Sequence, residues 1–199
     1  SGIAVGGPIK KDKLWFFGSY RQWGNERQAA GKFFNATQGT PFYTADLSQP
    51  AYVHEWYESK STRITWRASE RNKFNFFADV QDSCICRSST AIGQAPESIT
   101  AFHFRPSGVY QAAWTAPISN RVLLDAGVGM IRSSFVNYRA PGVAPEHISI
   151  LEQSTGMRYN AAATYRTPWD LNRYTSRFSA SYVPGSHAIK VGMQLEQST

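Results

Sequence analysis

The residue types that most often carry catalysis or bind metal ions are few and widely spaced in this sequence. Four histidines are far apart along the chain, and three of them fall in or beside predicted connections: His54, His103, His147 and His187. No G-x-S-x-G, H-E-x-x-H, P-loop or dinucleotide-binding pattern occurs. The sequence therefore predicts no enzyme activity, no catalytic residue, no metal site and no cofactor.

Two short motifs need a closer look. Glu55 and Glu58 flank Trp56 and resemble a sugar-cleaving carboxylate pair, but a solvated junction between a loop and a strand is the favoured interpretation. Cys84 and Cys86 form a C-x-C motif, which lacks the second ligand pair of a zinc site. The favoured interpretation is two thiols or an unusual bridge in an exposed loop, with metal binding as the alternative. The role and redox state of the cysteines stay open.

The composition is unusual for a cytosolic protein. Of the 199 residues, 14% are aromatic and only 18% are charged, against an average of about 25% charged. The formal net charge is +7, but the only basic run, at Lys10, Lys11 and Lys13, is interrupted by Asp12. Because the remaining cations are scattered, nucleic acid is not predicted as a partner. No apolar stretch is long enough for a transmembrane helix.

Apolar residues recur with a period of two. In 62–68, Ile64, Trp66 and Ala68 share one face of a predicted strand, and Arg63 and Arg67 lie on the other. The same alternation is found at 73–82, 109–116, 121–131, 172–183 and 187–197, and less cleanly at 13–24. Trp15, Phe17 and Phe77 fall on the polar side as exceptions, and Ser176 dilutes the apolar row of its segment.

The connections between these segments alternate strictly in length. Short ones lie at 69–72, 117–120 and 183–186, with a slightly longer one at 6–12; long ones lie at about 28–53, 83–106 and 139–171. The segments run to about 10–15 residues, and a membrane-spanning strand needs about 9–11. The pattern predicts an all-β chain. The predicted arrangement is an antiparallel up-and-down meander that forms part of a transmembrane β-barrel, with long loops at one end and short turns at the other.

Three stretches carry a resemblance to a known family. Gly6 to Gly18 (GGPIKKDKLWFFG) resembles the G-G-P-[IL]-x-K-[DN]-K-[LF]-[FW]-F-F strand pair of Oar-like TonB-dependent receptors. Pro117 to Gly127 is similar to a periplasmic turn and the strand after it. Gly185 to Gly192 resembles the G-x-H-x-[IL]-K-x-G hairpin of the same barrels. The three stretches occur in the order expected for that family.

The resemblance implies an outer-membrane active transporter or receptor of Gram-negative type, with a barrel of about 22 strands. Residues 1–199 would be a single segment in the first third of that barrel, without the signal peptide, the plug or the carboxypeptidase regulatory-like domain. Implied partners are outer-membrane lipid, the plug and the TonB energy-coupling system, the latter two through the missing part of the chain. The transported ligand is an unknown small solute, peptide or carbohydrate. The alternatives are a small self-contained outer-membrane barrel with a structural or adhesion role, and a secreted β-sandwich that binds carbohydrate.

The two faces of the strands define the candidate site residues. A charged side chain facing hydrocarbon costs about 2–4 kcal/mol at the midplane, so the apolar face is predicted to meet lipid and the polar face the lumen. The predicted lumen-facing wall consists of Arg21, Arg63, Thr65, Arg67, Asp79, Gln81, Arg173, Arg177 and Lys190. The predicted lipid-facing residues and aromatic belt are Ile64, Trp66, Phe74, Phe76, Trp114, Val122, Leu124, Tyr182, Ile189 and Val191. The cations are expected to bond to water, to the plug and to neighbouring acids such as Asp79 and Asp125.

Overall fold

The computed structural model describes residues 1–166 and 168–199. These residues form ten β-strands and a short 3-10 turn at Pro96–Ser98. The strands are β1 (Gly2–Lys10), β2 (Leu14–Asn35), β3 (Ala45–Arg67), β4 (Lys73–Arg87), β5 (Ala101–Ser119), β6 (Val122–Tyr138), β7 (Ile150–Glu152), β8 (Met157–Tyr159), β9 (Trp169–Tyr182) and β10 (Ile189–Ser198). No helix in the described part of the chain is long and apolar enough to cross a membrane.

Eight of the strands form one antiparallel sheet in the order β1-β2-β3-β4-β5-β6-β9-β10. Each strand pairs with the next along the chain, except that β7 and β8 form a separate hairpin within the connection from β6 to β9. The predicted antiparallel meander is therefore confirmed. Strands β1 and β10 are the two edges of this sheet, and no pairing joins them among the described residues.

Short turns join the strands at one end of the sheet, and the first is shorter than the predicted 6–12 because β1 continues to Lys10. The turn between β1 and β2 places Asp12 at φ 61°, a left-handed conformation that Asp adopts more readily than most residues. The turn between β3 and β4 is closed by a hydrogen bond from the Ala68 amide to the Asn72 carbonyl, at 2.9 Å. At the β9–β10 turn, Gly185 has a φ of 111°, where a side chain would be strained.

Several strands are much longer than the alternation predicts. Strands β2 and β3 have 22 and 23 residues, and β5 has 19, whereas the predicted segments run to about 10–15. The predicted long connections at about 28–53 and 83–106 are accordingly too long, since the observed ones are 36–44 and 88–100. The third, predicted at about 139–171, agrees closely with the end of β6 at Tyr138 and the start of β9 at Trp169. Beyond the alternating region, both faces of these strands carry polar and apolar residues. Hydrogen bonds to the neighbouring strands extend the sheet there, but no apolar row in the sequence predicts the extension.

Most fully buried residues lie toward the long-connection end, in the connections and in the adjoining parts of the strands. Ala140, Val143 and Ala161 form a small apolar cluster there. The large apolar side chains of the sheet are instead widely exposed, among them Ile64, Phe76 and Val128. Large exposed apolar surfaces in a protein mark sites where something else covers them.

Candidate functional site

The strand register sorts the predicted site residues into two sets on opposite faces of the sheet. Paired residues on neighbouring strands share a face, and successive residues on one strand alternate between faces. Ile64 pairs with Phe16 and Phe76, and Arg63 pairs with Phe17 and Phe77. When these pairs are followed across the sheet, every predicted lipid-facing residue lies on the same face as Ile64, which we call the apolar face. Every predicted lumen-facing residue lies with Arg63 on the polar face.

The apolar face has a defined height. On β6, alternate residues from Val122 to Met130 are apolar, a stretch of about nine residues that matches the length a tilted membrane-spanning strand needs. Arg132 follows on the same face, in the row of Lys60 on β3. Trp66 and Trp114 lie near the short-turn end of this apolar band. The band therefore has aromatic residues toward one border and cations at the other.

Cations outnumber acids on the polar face along the height of the band. The cations are Arg63, Arg67, Lys73, Arg173, Arg177 and Lys190, and Arg21 lies just beyond the cationic border of the band. The acids are Asp79, Asp125 and Glu196. This side of the sheet therefore presents an excess of positive charge at the same depth at which the other side is apolar.

The expected pairing of these cations with Asp79 and Asp125 is not found among the described residues. Asp79 accepts hydrogen bonds from Ser59 Oγ at 2.6 Å and Gln81 Nε2 at 2.7 Å, and Asp125 accepts one from Thr115 Oγ1 at 3.0 Å. Among the described polar-face cations, Arg173 forms an ion pair, in which its Nε lies 3.1 Å from Glu196 Oε1. The other polar-face cations form no ion pair among the described residues, and Arg63 contacts the Phe77 ring.

The polar face also has a second feature, a row of aromatic side chains, which the alternation does not reveal. Going from β2 to β9, directly paired residues form one row that crosses six strands: Trp23, Tyr57, Ser83, Phe104, Phe135 and Trp169. We call this set the aromatic row. It lies beyond the Arg21 row, toward the long connections. Each member belongs to a different strand, so only the register brings them together.

The three long connections meet around Asn160, which is 2% exposed and has a φ of 72°. Its side-chain Oδ1 accepts from the Gly39 amide, and its Nδ2 donates to the Ile148 carbonyl, both at 2.8 Å. Its main-chain carbonyl accepts from Gln38 Nε2 at 2.7 Å, and its amide donates to Glu97 Oε1 at 3.3 Å. We call this arrangement the loop cluster. It confirms that the long connections lie together at one end of the sheet.

Glu97 is the buried acid of the loop cluster. It is 5% exposed, and its Oε2 has no hydrogen-bond partner among the described residues. Burial raises the pKa of the Glu97 carboxyl, although hydrogen bonds from its own backbone amide, from Asn160 and from Asn35 oppose the rise. Burial raises the pKa of the Tyr43 hydroxyl, and the nearby Glu97 carboxylate raises it further by a smaller amount. The loop cluster therefore favours the protonated form of Glu97.

The residues first considered for chemistry are dispersed. Glu55 lies on the polar face and accepts from Asn25, whereas Glu58 lies on the apolar face and binds Lys60 at 2.7 Å, so the two carboxylates do not face one site. His103 contacts Asp82 at 2.5 Å. Among the described residues, no group of three or more His, Cys, Asp or Glu side chains is placed to hold a metal ion.

The two cysteines lie in β4 rather than in a loop, because β4 continues to Arg87. They form a disulfide with each other, and Cys84 is buried. The sequence left open two thiols or a disulfide bridge, and the structure contains the bridge.

The fold is similar to that of a solved membrane protein. The match is to the crystal structure of the outer membrane transporter YddB from Escherichia coli, with a TM-score of 0.53, 12% sequence identity and 98% of this chain covered. This chain spans 24% of the length of that protein. No protein-family model matches the chain, and no curated protein matches its sequence. At this identity the likeness shows the fold: the eight-stranded meander has the architecture of part of an outer membrane transporter.

Proposed function

We propose that this chain forms part of the wall of an outer-membrane active transporter. The observation that carries the proposal is the uncovered apolar face of the sheet, whose height matches a membrane, directly behind a polar face rich in cations. In this arrangement the residues of the Ile64 face meet lipid and those of the Arg63 face line the lumen. The chain would then reside in the outer membrane of a Gram-negative cell and would carry no catalytic activity.

The likeness in fold to an outer membrane transporter supports this placement. The finer assignment is that the transporter is an Oar-like TonB-dependent receptor, and it rests on the GGPIKKDKLWFFG, Pro117–Gly127 and Gly185–Gly192 stretches. Its partners would be lipid, a plug and the TonB system, and the loop cluster would form the outer mouth where the solute is captured. A chain that spans a quarter of such a protein would supply only part of its lumen.

Two rival functions predict a different arrangement of strands. A self-contained eight-stranded barrel requires β1 to pair with β10, whereas these strands are opposite edges of the observed sheet. A secreted sandwich requires the apolar face to be buried against a second sheet, whereas Ile64, Phe76 and Val128 are exposed. Both observations favour the open wall of a larger barrel.

Single-cysteine labelling tests the orientation of the two faces. Ile64→Cys and Thr65→Cys would each be made in the full-length protein, with the native Cys84–Cys86 bridge kept, and exposed in intact membranes to a water-soluble maleimide. We expect position 65 to react and position 64 to resist, because only the polar face meets water. Both should react after unfolding, which is the control. Rapid labelling at position 64 with protection at 65 would overturn the proposed orientation.

A further inference from the structure

The aromatic row is built as a surface rather than as a core. Its rings form two contacting groups: Trp23 stacks on Tyr57 at 5.5 Å between ring centroids, and Phe135 contacts Phe104 at 5.5 Å and Trp169 at 6.0 Å. Trp23 and Trp169, at the two ends, are 51% and 45% exposed. Aromatic rings that fill a core do not remain this open, so the row offers ring surface to the solvent on the polar face.

A row of hydrogen-bonding groups runs directly beside the aromatic row on the same face. Its members, again paired strand to strand, are Arg21, Ser59, Gln81, Ser107, Ser133 and Leu171. All but Leu171 carry a polar side chain, and Ser107 Oγ is buried without a hydrogen-bond partner among the described residues. The polar face thus presents a band of rings and, one pleat away, a band of hydroxyl, amide and guanidinium groups.

From this pairing of rows we infer that the polar face holds a binding site for a saccharide chain. A pyranose ring has C–H groups on its faces and hydroxyls around its rim. The faces stack on the negative faces of aromatic rings, and the rim needs donors and acceptors beside them. The inference deepens the proposed function and rests on it, since it names the class of solute that the transporter wall would guide.

The dimensions of the aromatic row suit an extended chain rather than a single sugar. Six neighbouring strands place Trp23 and Trp169 about 24 Å apart along the sheet, from a strand spacing of about 4.8 Å. Ser83 divides the row into two groups of rings, which would hold separate sugar units. Arg21 beside the row and the excess of cations below it would favour saccharides that carry acidic groups.

The test is a binding titration followed by tryptophan fluorescence. The full-length protein would be purified in a detergent without a sugar headgroup and titrated with maltoheptaose, cellopentaose and an oligogalacturonate. We expect saturable binding of at least one of these probes, and at least fivefold weaker binding for Trp23→Ala and for Trp169→Ala. Trp169→Phe should retain most of the affinity, because a ring for stacking is kept.

Trp66→Ala is the matched control. Trp66 is also 45% exposed but lies on the apolar face, so its loss should leave the affinity unchanged once the amount of folded protein is equalised. The inference is overturned if no probe binds saturably, or if Trp66→Ala weakens binding as much as Trp169→Ala. If labelling at positions 64 and 65 meanwhile confirms the orientation, the transporter wall stands and only the saccharide site fails.

Discussion

At the scale of single residues, the apparent exceptions to the alternation have a physical reason. Phe77 lies among polar residues, yet its ring centroid is 5.5 Å from the Arg63 guanidinium, which pairs with it across the strands. A cation over an aromatic face is attracted by the negative face of the ring. Phe17 occupies the position opposite Arg63 on the other side. Arg63 is thus paired with two aromatic residues, and its contact with Phe77 explains why that ring lies on the polar face.

The first prediction concerns Glu97. Its pKa is raised by burial, so the folded loop cluster gains most stability from the protonated carboxyl at pH values below the usual range of glutamate. That contribution is lost as the pH rises through the raised pKa of the folded state. We therefore expect Glu97→Gln to make the loop cluster more stable than the native protein at neutral pH, and equally stable at pH values below the usual range of glutamate.

Hydrogen exchange at the Gly39 amide measures the effect, because that amide donates to Asn160 within the loop cluster. The free energy of local opening should depend on pH in the native protein and much less in the Glu97→Gln variant. An amide of the β3–β4 turn, such as Ala68, serves as the control and should not change. A native protein whose loop cluster becomes more stable with rising pH would contradict the prediction.

At the scale of elements, the short turns and the two faces of the sheet are readable from sequence, but the strand extensions and the aromatic row are not. Alternation appears where one face must be apolar, as in 62–68, and it disappears in 45–59 although β3 continues there. The aromatic row depends on register: Trp23 and Trp169 are far apart in sequence and join one row only through four intervening strands. Each long connection adds an uncertainty in register that local patterns do not remove.

The second prediction tests the depth of the apolar band with β6. Val128 is in the row of Ile64, near the middle of the band, and Val122 is at its short-turn border. Replacing Val128 by Arg should cost about 2–4 kcal/mol of folding free energy in lipid, and Val122→Arg only about 0–1 kcal/mol. Reversible unfolding from lipid vesicles with denaturant measures both.

Gln111→Arg is the control for β6, because Gln111 is on the polar face one pleat away from the row of Val128. It should leave the folding free energy nearly unchanged. Equal costs at positions 128 and 111 would show that the two faces meet similar surroundings and would argue against a lipid-facing apolar band.

At the scale of the whole molecule, the sheet has two free edges and one broad uncovered apolar face. Strands β1 and β10 each pair on one side, and Ile3, Val5 and Val191 are among their exposed apolar side chains. Unpaired edges with apolar side chains promote association between chains in water. In the proposed transporter wall, lipid would cover the apolar face and further strands would pair with the two edges.

The third prediction follows from those edges. Residues 1–199 expressed alone should aggregate in plain buffer and disperse only in detergent. Light scattering with and without detergent measures this. The control is the full-length protein in the same detergent, which should remain monodisperse. A monodisperse, folded monomer of the isolated chain without detergent would contradict both the free edges and the exposed apolar face.

The alternation of side chains between the two faces of the sheet also limits which insertions and deletions the protein can tolerate. Removing one residue from the middle of a strand turns every later side chain of that strand to the opposite face, which would exchange residues between the apolar and polar faces. Apart from the shift at Pro8/Lys10 on the edge strand β1, the register shifts of the sheet lie outside the middle of the band, at Gln81/Ser83, Phe104/Ser107 and Pro117/Ser119 among others. Length changes of a single residue should therefore accumulate in the turns, in the connections and at these shifts, and changes within the band should come in pairs.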